Sequence, residues 1–345
     1  MKLLTNTPSK IYLGSHSIQN FLNNLLQESN DSKVFLFISN SLPHKRVHKL
    51  LTVLPRNCFI KIVPNTESFK NFSVVQSLLK HLLTHQADRK SLLIAVGGGA
   101  LLDTVGFVAS IYLRGVRWWA IPTTPIAQMD SSIGGKTAIN FLGKNTVGSF
   151  HLPQKTLIDI EFLSYFPKPL LEESFAEIAK MALGFDKKLC DYLLIHSLSS
   201  QESLLYALRK CILLKRKIVL ADFKETKNIR TLLNFGHTFG HVFESVEKIS
   251  HGKAVSKGLC ISLSLSRRHG YCHKHEKEEA MALLHKMNLV FPINLPSTTI
   301  LRKYLMKDKK RQNDRIHFVY YKKKKSLLTQ ATFVKSLIYD AQREF

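Results

Sequence analysis

An α/β N-terminal domain with a largely parallel sheet, followed by a mainly α-helical C-terminal domain, is the fold that the sequence predicts. Three observations predict it. An apolar strand pattern runs directly into three consecutive glycines and then into a helical pattern. Strand-like and helix-like segments alternate over roughly the first 150 residues. From about Phe162 onward, a 3.6-residue apolar period dominates and strand signals nearly vanish.

Taken in order, Lys33–Ser39 (KVFLFIS) is short, apolar and rich in β-branched and aromatic residues, as a buried strand is. Helical spacing of apolar residues follows from Phe72 to His85, and Ser91–Val96 (SLLIAV) reads as a second strand. Gly97-Gly98-Gly99 then turns the chain into the helix LLDTVGFVASIYL, and RWWAIPTT is a third strand. Such strand–turn–helix–strand order belongs to a parallel, Rossmann-like sheet. The second half predicts helices at roughly Leu170–His196, Glu202–Ala221, Ile229–Glu247, Gly252–His269 and His275–Met287. A last strand is expected at Ile316–Tyr321, before a Lys322–Lys325 run and another apolar stretch. The expected domains are residues 1–160 and 161–345.

The chain has 345 residues, 45% of them hydrophobic and 22% charged, ordinary values for two folded domains. Its net charge of +25 favours an anionic partner or is a solvated basic surface without a specific use. Nucleic acid is not expected: basic residues are spread along the chain, and none of the usual recognition signatures occurs. Five scattered cysteines, never spaced CxxC, fit a reducing cytoplasm. Neither a signal peptide after MKLLTNTPSK nor an apolar run long enough to span a membrane is expected.

Two groups of residues carry chemistry. Three glycines after a buried strand let a phosphate approach bare N–H groups at a helix N-terminus, and Asp103 follows one turn later. Thr123 and Thr124 end the next strand, and the glycine-rich DSSIGGKTAINFLGKN places Asp130, Lys136, Lys144 and Asn145 on short loops. Two lysines among glycines suit phosphate or carboxylate capture. In the helical half, His237 and His241 share one helix face and His251 opens the next helix. Imidazoles converging from helices, completed by a carboxylate, make a divalent-metal site. Spacing alone leaves open which of the three ligate. Glu177, with Lys180 one turn on, is the candidate carboxylate, a plain salt bridge being the simpler reading of that pair.

Together these segments resemble the 3-dehydroquinate synthase family. GGGALLDTVGFVASIYLRGVRWWAIPTTPIAQMDSSIGGKTAIN, GKNTVGSF, AEIAK, LLNFGHTFGH and HGKAV occur in that family's order, from about Asn65 to about Lys310. The resemblance implies a homodimer that uses NAD+ and Zn2+, with Co2+ as a substitute. The metal ligands it implies are Glu177, His237 and His251, with His241 reassigned to substrate phosphate and proton relay. It implies cofactor contacts from Asn40, Glu67, Lys70, Gly97, Gly98, Gly99, Asp103, Thr123, Thr124, Lys144 and the Phe162–Tyr165 stretch. Asp130, Lys136, Asn145, Lys180, Lys215, Arg230 and Asn234 belong to the implied substrate pocket, joined by Lys310 or its neighbour Lys309. Arg114 matches a residue that reaches the partner subunit's site, and Glu225 a proton acceptor.

The implied substrate, 3-deoxy-D-arabino-heptulosonate 7-phosphate, carries a phosphate and a carboxylate, which explains the inventory of cationic and amide donors. The implied reaction is transient oxidation, phosphate β-elimination, re-reduction and intramolecular aldol closure, with no net redox change. Departures from the family pattern are Lys253 where HGEAV has Glu, Pro125 in place of leucine, and slightly shortened segments before Lys144 and before His251. Other sugar-phosphate cyclases and metal-dependent polyol dehydrogenases are the nearest alternatives. Glu177 in AEIAK argues against the dehydrogenases, and Arg230 with Lys136 and Lys215, suited to a carboxylate, against the other cyclases.

Overall fold

The structure is a computed structural model that describes residues 1–16, 18–27, 32–52, 54, 57–306, 313–322 and 326–345. Lys309, Lys310 and residues 323–325 of the lysine run lie outside the described residues. The chain divides into two compact units, Met1–Phe166 and Pro167–Phe345, so the division falls six residues beyond the boundary expected from the sequence. The reason is local: Asp159, which ends a strand, caps a 3-10 turn over Ile160–Tyr165, and Phe162 of that turn is buried in the first unit's core.

The first unit is a doubly wound sheet. Its strands are β1 (Lys2–Thr5), β2 (Lys10–Gly14), β3 (Val34–Ser39), β4 (Cys58–Val63), β5 (Leu92–Gly97), β6 (Arg117–Pro122), β7 (Lys136–Ile139), β8 (Val147–Phe150) and β9 (Lys155–Asp159). Seven of them form one sheet in the order β1-β2-β9-β6-β5-β3-β4, parallel throughout except for the β1–β2 pair. β7 and β8 form a separate antiparallel hairpin. Four helices cover the sheet: α1 (Ile18–Gln27), α2 (His44–Leu51), α3 (Phe72–Thr84) and α4 (Gly99–Ile111). Alternation along β3 explains the layering. Val34, Leu36 and Ile38 pack with Leu22 and Leu50 on one face, while Phe35 and Phe37 pack with Leu78, Leu82 and Val105 on the other. Burial on both faces is why β3 and β5 read as continuous apolar runs.

Asp130 and Lys136 are not on irregular loops as the sequence suggests. Asp130 lies in a helical turn, Ala127–Ser131, and Lys136 opens β7, where it pairs with Phe150.

The second unit contains α5 (Lys168–Ser174), α6 (Ala176–Phe185), α7 (Lys187–Ile195), α8 (Gln201–Ala221), α9 (His237–Glu247), α10 (His251–Arg268), α11 (Lys274–Lys286), α12 (Thr298–Leu305) and α13 (Val334–Glu344). A hairpin of β10 (Arg315–Lys322) and β11 (Ser326–Phe333) completes it. α10 is the centre: it is buried almost from end to end and packs against α5, α6, α9, α11, α13 and β10.

Two expected helices are broken in the structure. The run from Leu170 to His196 is three helices, and Asp186 caps the third by accepting the Leu189 N–H at 3.0 Å. The Ile229–Glu247 run is a 3-10 turn, Arg230–Asn234, then a left-handed Gly236 (φ 78°) that redirects the chain into α9. A side chain at Gly236 would press on Leu259, and one at Gly258 would overlap the Gly236 carbonyl oxygen. α9 and α10 therefore touch backbone to backbone where α9 begins.

Candidate active site

That close approach brings two histidines to one carboxylate. Glu177 enters from the first turn of α6, His237 is the first residue of α9, and His251 the first of α10. Glu177 Oε1 lies 3.2 Å from His237 Nε2 and 3.4 Å from His251 Nε2. It is buried and accepts no aligned hydrogen bond. Ligand atoms of all three residues fall within 4.8 Å of one another, the one such group among the described residues.

The second nitrogen of each ring is already committed. His237 Nδ1 donates to the Phe235 carbonyl at 3.1 Å, and His251 Nδ1 to Glu244 Oε2 at 3.1 Å. Both Nε2 atoms are thereby aimed at the space beside Glu177 Oε1. A buried, unbonded carboxylate oxygen facing two such nitrogens suits a divalent cation with borderline character, and this donor set fits zinc or cobalt. His241, one turn along α9, lies outside the group. Its ring is 5.5 Å from that of His237, and it is exposed.

Electrostatics agree with a charged carboxylate. Burial alone would raise the Glu177 pKa, but the Lys180 ammonium at 2.5 Å and His237 hold it well below the usual carboxylate range. Burial and the same lysine lower His237. For His251 burial works in the lowering direction, but the facing carboxylates of Glu177 and Glu244 raise it to about 9, so a cation taken up there would displace a proton.

The α10 terminus is fixed by Ser250, which caps Lys253 N–H at 3.2 Å and hydrogen-bonds Glu173 Oε2. Lys253, the charge reversal two residues after His251, places its Nζ 5.1 Å over the Phe291 ring.

Other predicted residues of this unit are cations withdrawn from water. Lys180, Lys215 and Arg230 are buried, and Arg230 Nε lies 3.4 Å from Glu225 Oε1. Asp222 anchors that turn, accepting Lys227 N–H at 2.9 Å and Arg230 N–H at 3.1 Å. Asn234 closes the 3-10 turn that Arg230 opens.

In the first unit, the carboxyl ends of β3, β5 and β6 lie side by side, and the chain moves outward in opposite directions from β3 and β5. Ligands of open α/β sheets bind outside such a switch point. Asn40 follows β3, Gly97–Gly99 follow β5, and Thr123–Thr124 follow β6, with Thr123 N–H donating to the Gly97 carbonyl at 2.9 Å. No side chain caps α4 at Gly98, where an added Cβ would lie 2.6 Å from Asn65 Nδ2 and 3.0 Å from Thr124 Cγ2. This bare, narrow helix N-terminus suits a dinucleotide pyrophosphate.

Beside it, buried Lys70 donates to Asp103 Oδ2 at 2.6 Å and to Asn145 Oδ1. Burial pushes the Asp103 carboxyl up to about 6 against the pull of that ammonium. Glu67, on the same 3-10 turn, accepts a hydrogen bond from Asn140 Nδ2 at 2.8 Å. Lys144 is exposed on the loop between β7 and β8. Phe162 is buried in the core cluster that contains Leu157, and Tyr165 is exposed. Arg114 stands exposed in a turn whose residues Leu113, Arg114 and Gly115 all have positive φ.

Sequence reasoning missed Glu244, Ser250, Asp222 and Asn140. Of these, only Ser250 carries a readable signal, as an N-cap residue before a helix.

Known proteins resemble this chain over most of its length. Two family models match in tandem: 3-dehydroquinate synthase N-terminal over residues 60–173 and 3-dehydroquinate synthase C-terminal over residues 174–311. A 3-dehydroquinate synthase from Campylobacter concisus is 36% identical over 332 residues, covering 94% of this chain and 95% of its own. One from Nitratiruptor sp. is 38% identical over 291 residues, covering 83% of each chain. Among solved structures, the 2-epi-5-epi-valiolone synthase of Streptomyces hygroscopicus, with NAD+ and Zn2+ bound, superposes with a TM-score of 0.86 at 23% identity, covering 99% of this chain and 98% of that one; this likeness speaks for the fold. With both models matched over most of its length, the chain belongs to the 3-dehydroquinate synthase family, the phosphate-eliminating carbon–oxygen lyases that form 3-dehydroquinate.

Proposed function

We propose a division of labour among this chain's residues for the family's reaction, the conversion of 3-deoxy-D-arabino-heptulosonate 7-phosphate to 3-dehydroquinate and phosphate. The observation that carries it is the Glu177–His237–His251 group, in which each histidine has its Nδ1 committed elsewhere and its Nε2 turned toward Glu177 Oε1. Zn2+ is the proposed ion. When bound, NAD+ supplies a reversible hydride acceptor and the cation a Lewis acid for adjacent hydroxyls.

The chain's own groups do the rest. Glu177, kept ionised by Lys180, and the two imidazoles hold the cation. Lys215 and Arg230, already desolvated, offer charge to the substrate's carboxylate and phosphate without reorganising. Lys136, Asn145 and Asn234 add donors, and Asp130 orients a hydroxyl. His241 carries a proton at its imidazole near the departing phosphate, and Glu225, tied to Arg230, is a second proton acceptor. The NAD+ pyrophosphate takes the α4 N-terminus, with Asn40, Glu67, Lys70, Asp103, Thr123, Thr124, Lys144 and the Phe162–Tyr165 stretch around the remainder. The proposed assembly is a cytoplasmic homodimer in which Arg114 serves the partner subunit's site. Its exposure on a fixed turn supports that role, and the five free cysteines support a reducing compartment.

The test is release of inorganic phosphate from the heptulosonate phosphate in the presence of NAD+ and zinc, with no net NADH formed. Chelation should abolish release and zinc restore it. Accumulating NADH without phosphate would identify a dehydrogenase instead.

A further inference from the structure

Between Lys136 and Lys144 lies a residue whose side-chain amide and backbone N–H all bond other candidate site residues. Asn140 follows β7 and is half-buried. Its Nδ2 donates to Glu67 Oε1 at 2.8 Å, its Oδ1 accepts the Asn145 N–H at 2.7 Å, and its own N–H donates to the Lys70 carbonyl at 2.8 Å. Asn145, held in a left-handed conformation (φ 56°), accepts in turn from the Lys70 ammonium that pairs with Asp103. A closed ring thus runs through Glu67, Asn140, Asn145 and Lys70. Two of its members sit on the 65–70 turn, where the cofactor is proposed to bind, and two on the β7–β8 hairpin loop, which offers Asn145 to the substrate.

We infer that Asn140 is a positioning residue that locks the cofactor turn to the substrate-binding hairpin, so that the two are ordered as one piece. The inference rests on the proposed roles of Glu67, Lys70 and Asn145. A primary amide is required at this position because one side must donate and the other accept. An aspartate keeps the acceptor for Asn145 but turns a carboxylate oxygen toward Glu67, where like charges repel. An alanine loses both links.

The experiment compares wild type, Asn140→Asp and Asn140→Ala, measuring NAD+ Kd by calorimetry and the KM for the heptulosonate phosphate by phosphate release. For Asn140→Asp, the NAD+ Kd should rise about tenfold while the substrate KM stays within about twofold, as expected for loss of one charge-assisted hydrogen bond. Asn140→Ala should raise both constants. Should Asn140→Ala fail to fold, the asymmetric response of Asn140→Asp still decides. Unchanged constants in both variants, or equal rises of both constants in Asn140→Asp, overturn the inference. A wild type that neither binds NAD+ nor releases phosphate would instead overturn the functional reading on which it rests.

Discussion

A histidine binds a metal well only when something fixes which nitrogen carries the proton. At His251 that something is Glu244, seven residues earlier and across the turn between α9 and α10, with its carboxylate 3.1 Å from Nδ1. Removing it in Glu244→Ala frees the ring to rotate and to take the other tautomer. Metal affinity should then fall about 10- to 100-fold, the usual effect of losing such a partner. Glu244→Gln keeps an acceptor and should fall less. Competition with a chromogenic chelator measures both, and equal affinities in wild type and Glu244→Ala would remove Glu244 from the metal's support. The candidate ligands are partly legible: spacing offers His237, His241 and His251 together, and the family resemblance selects His237 and His251. Glu244 was not legible, because a left-handed Lys248 (φ 52°) interrupts any regular spacing between it and His251.

Strands with an unbroken run of buried apolar residues announced themselves, and short, interrupted or partly buried ones were silent. β3 and β5 are buried at every position, and their apolar runs say so. β7 and β8 have four residues each and only partial burial, so the glycine-rich segment between Asp130 and Asn145 reads as loop. The edge strand β4 alternates weakly, with Ile60 and Ile62 exposed, and carries no clear signal either. The three helices α5–α7 merge in the sequence because their apolar periods nearly continue across Phe175 and Asp186. The same logic makes the α9–α10 contact testable. Gly258→Ala inserts a methyl group into the Gly236 carbonyl, which only backbone displacement can relieve. A cost of about 1–3 kcal/mol is expected from overpacking of this kind, visible as a lowered thermal midpoint. Because α9 and α10 carry His237 and His251, zinc affinity should fall with it. A midpoint and zinc affinity matching wild type would show that the contact is slack.

At the scale of the whole molecule, the excess of 25 positive charges has two parts with different physics. Among the described residues, Lys70, Lys180, Lys215, Lys257 and Arg230 are buried, while most of the remaining cations, such as Lys45 and Lys49 on α2, face solvent. Exposed charges are screened over about 10 Å at 0.1 M salt, whereas buried ones are screened far less. If the proposed substrate is gripped by Lys215 and Arg230, raising salt from about 0.05 to about 0.5 M should lower kcat/KM only several-fold and leave kcat nearly constant. Steering by the surface as a whole predicts a different curve, because electrostatic acceleration of encounter reaches 10- to 1,000-fold and collapses with ionic strength. The double variant Lys45→Gln/Lys49→Gln separates the cases further: kcat/KM within about twofold of wild type at low salt marks these charges as solvated surface. A hundredfold loss of kcat/KM with salt, shared by the surface variant as a lower starting value, would instead give the basic exterior a part in capturing the substrate.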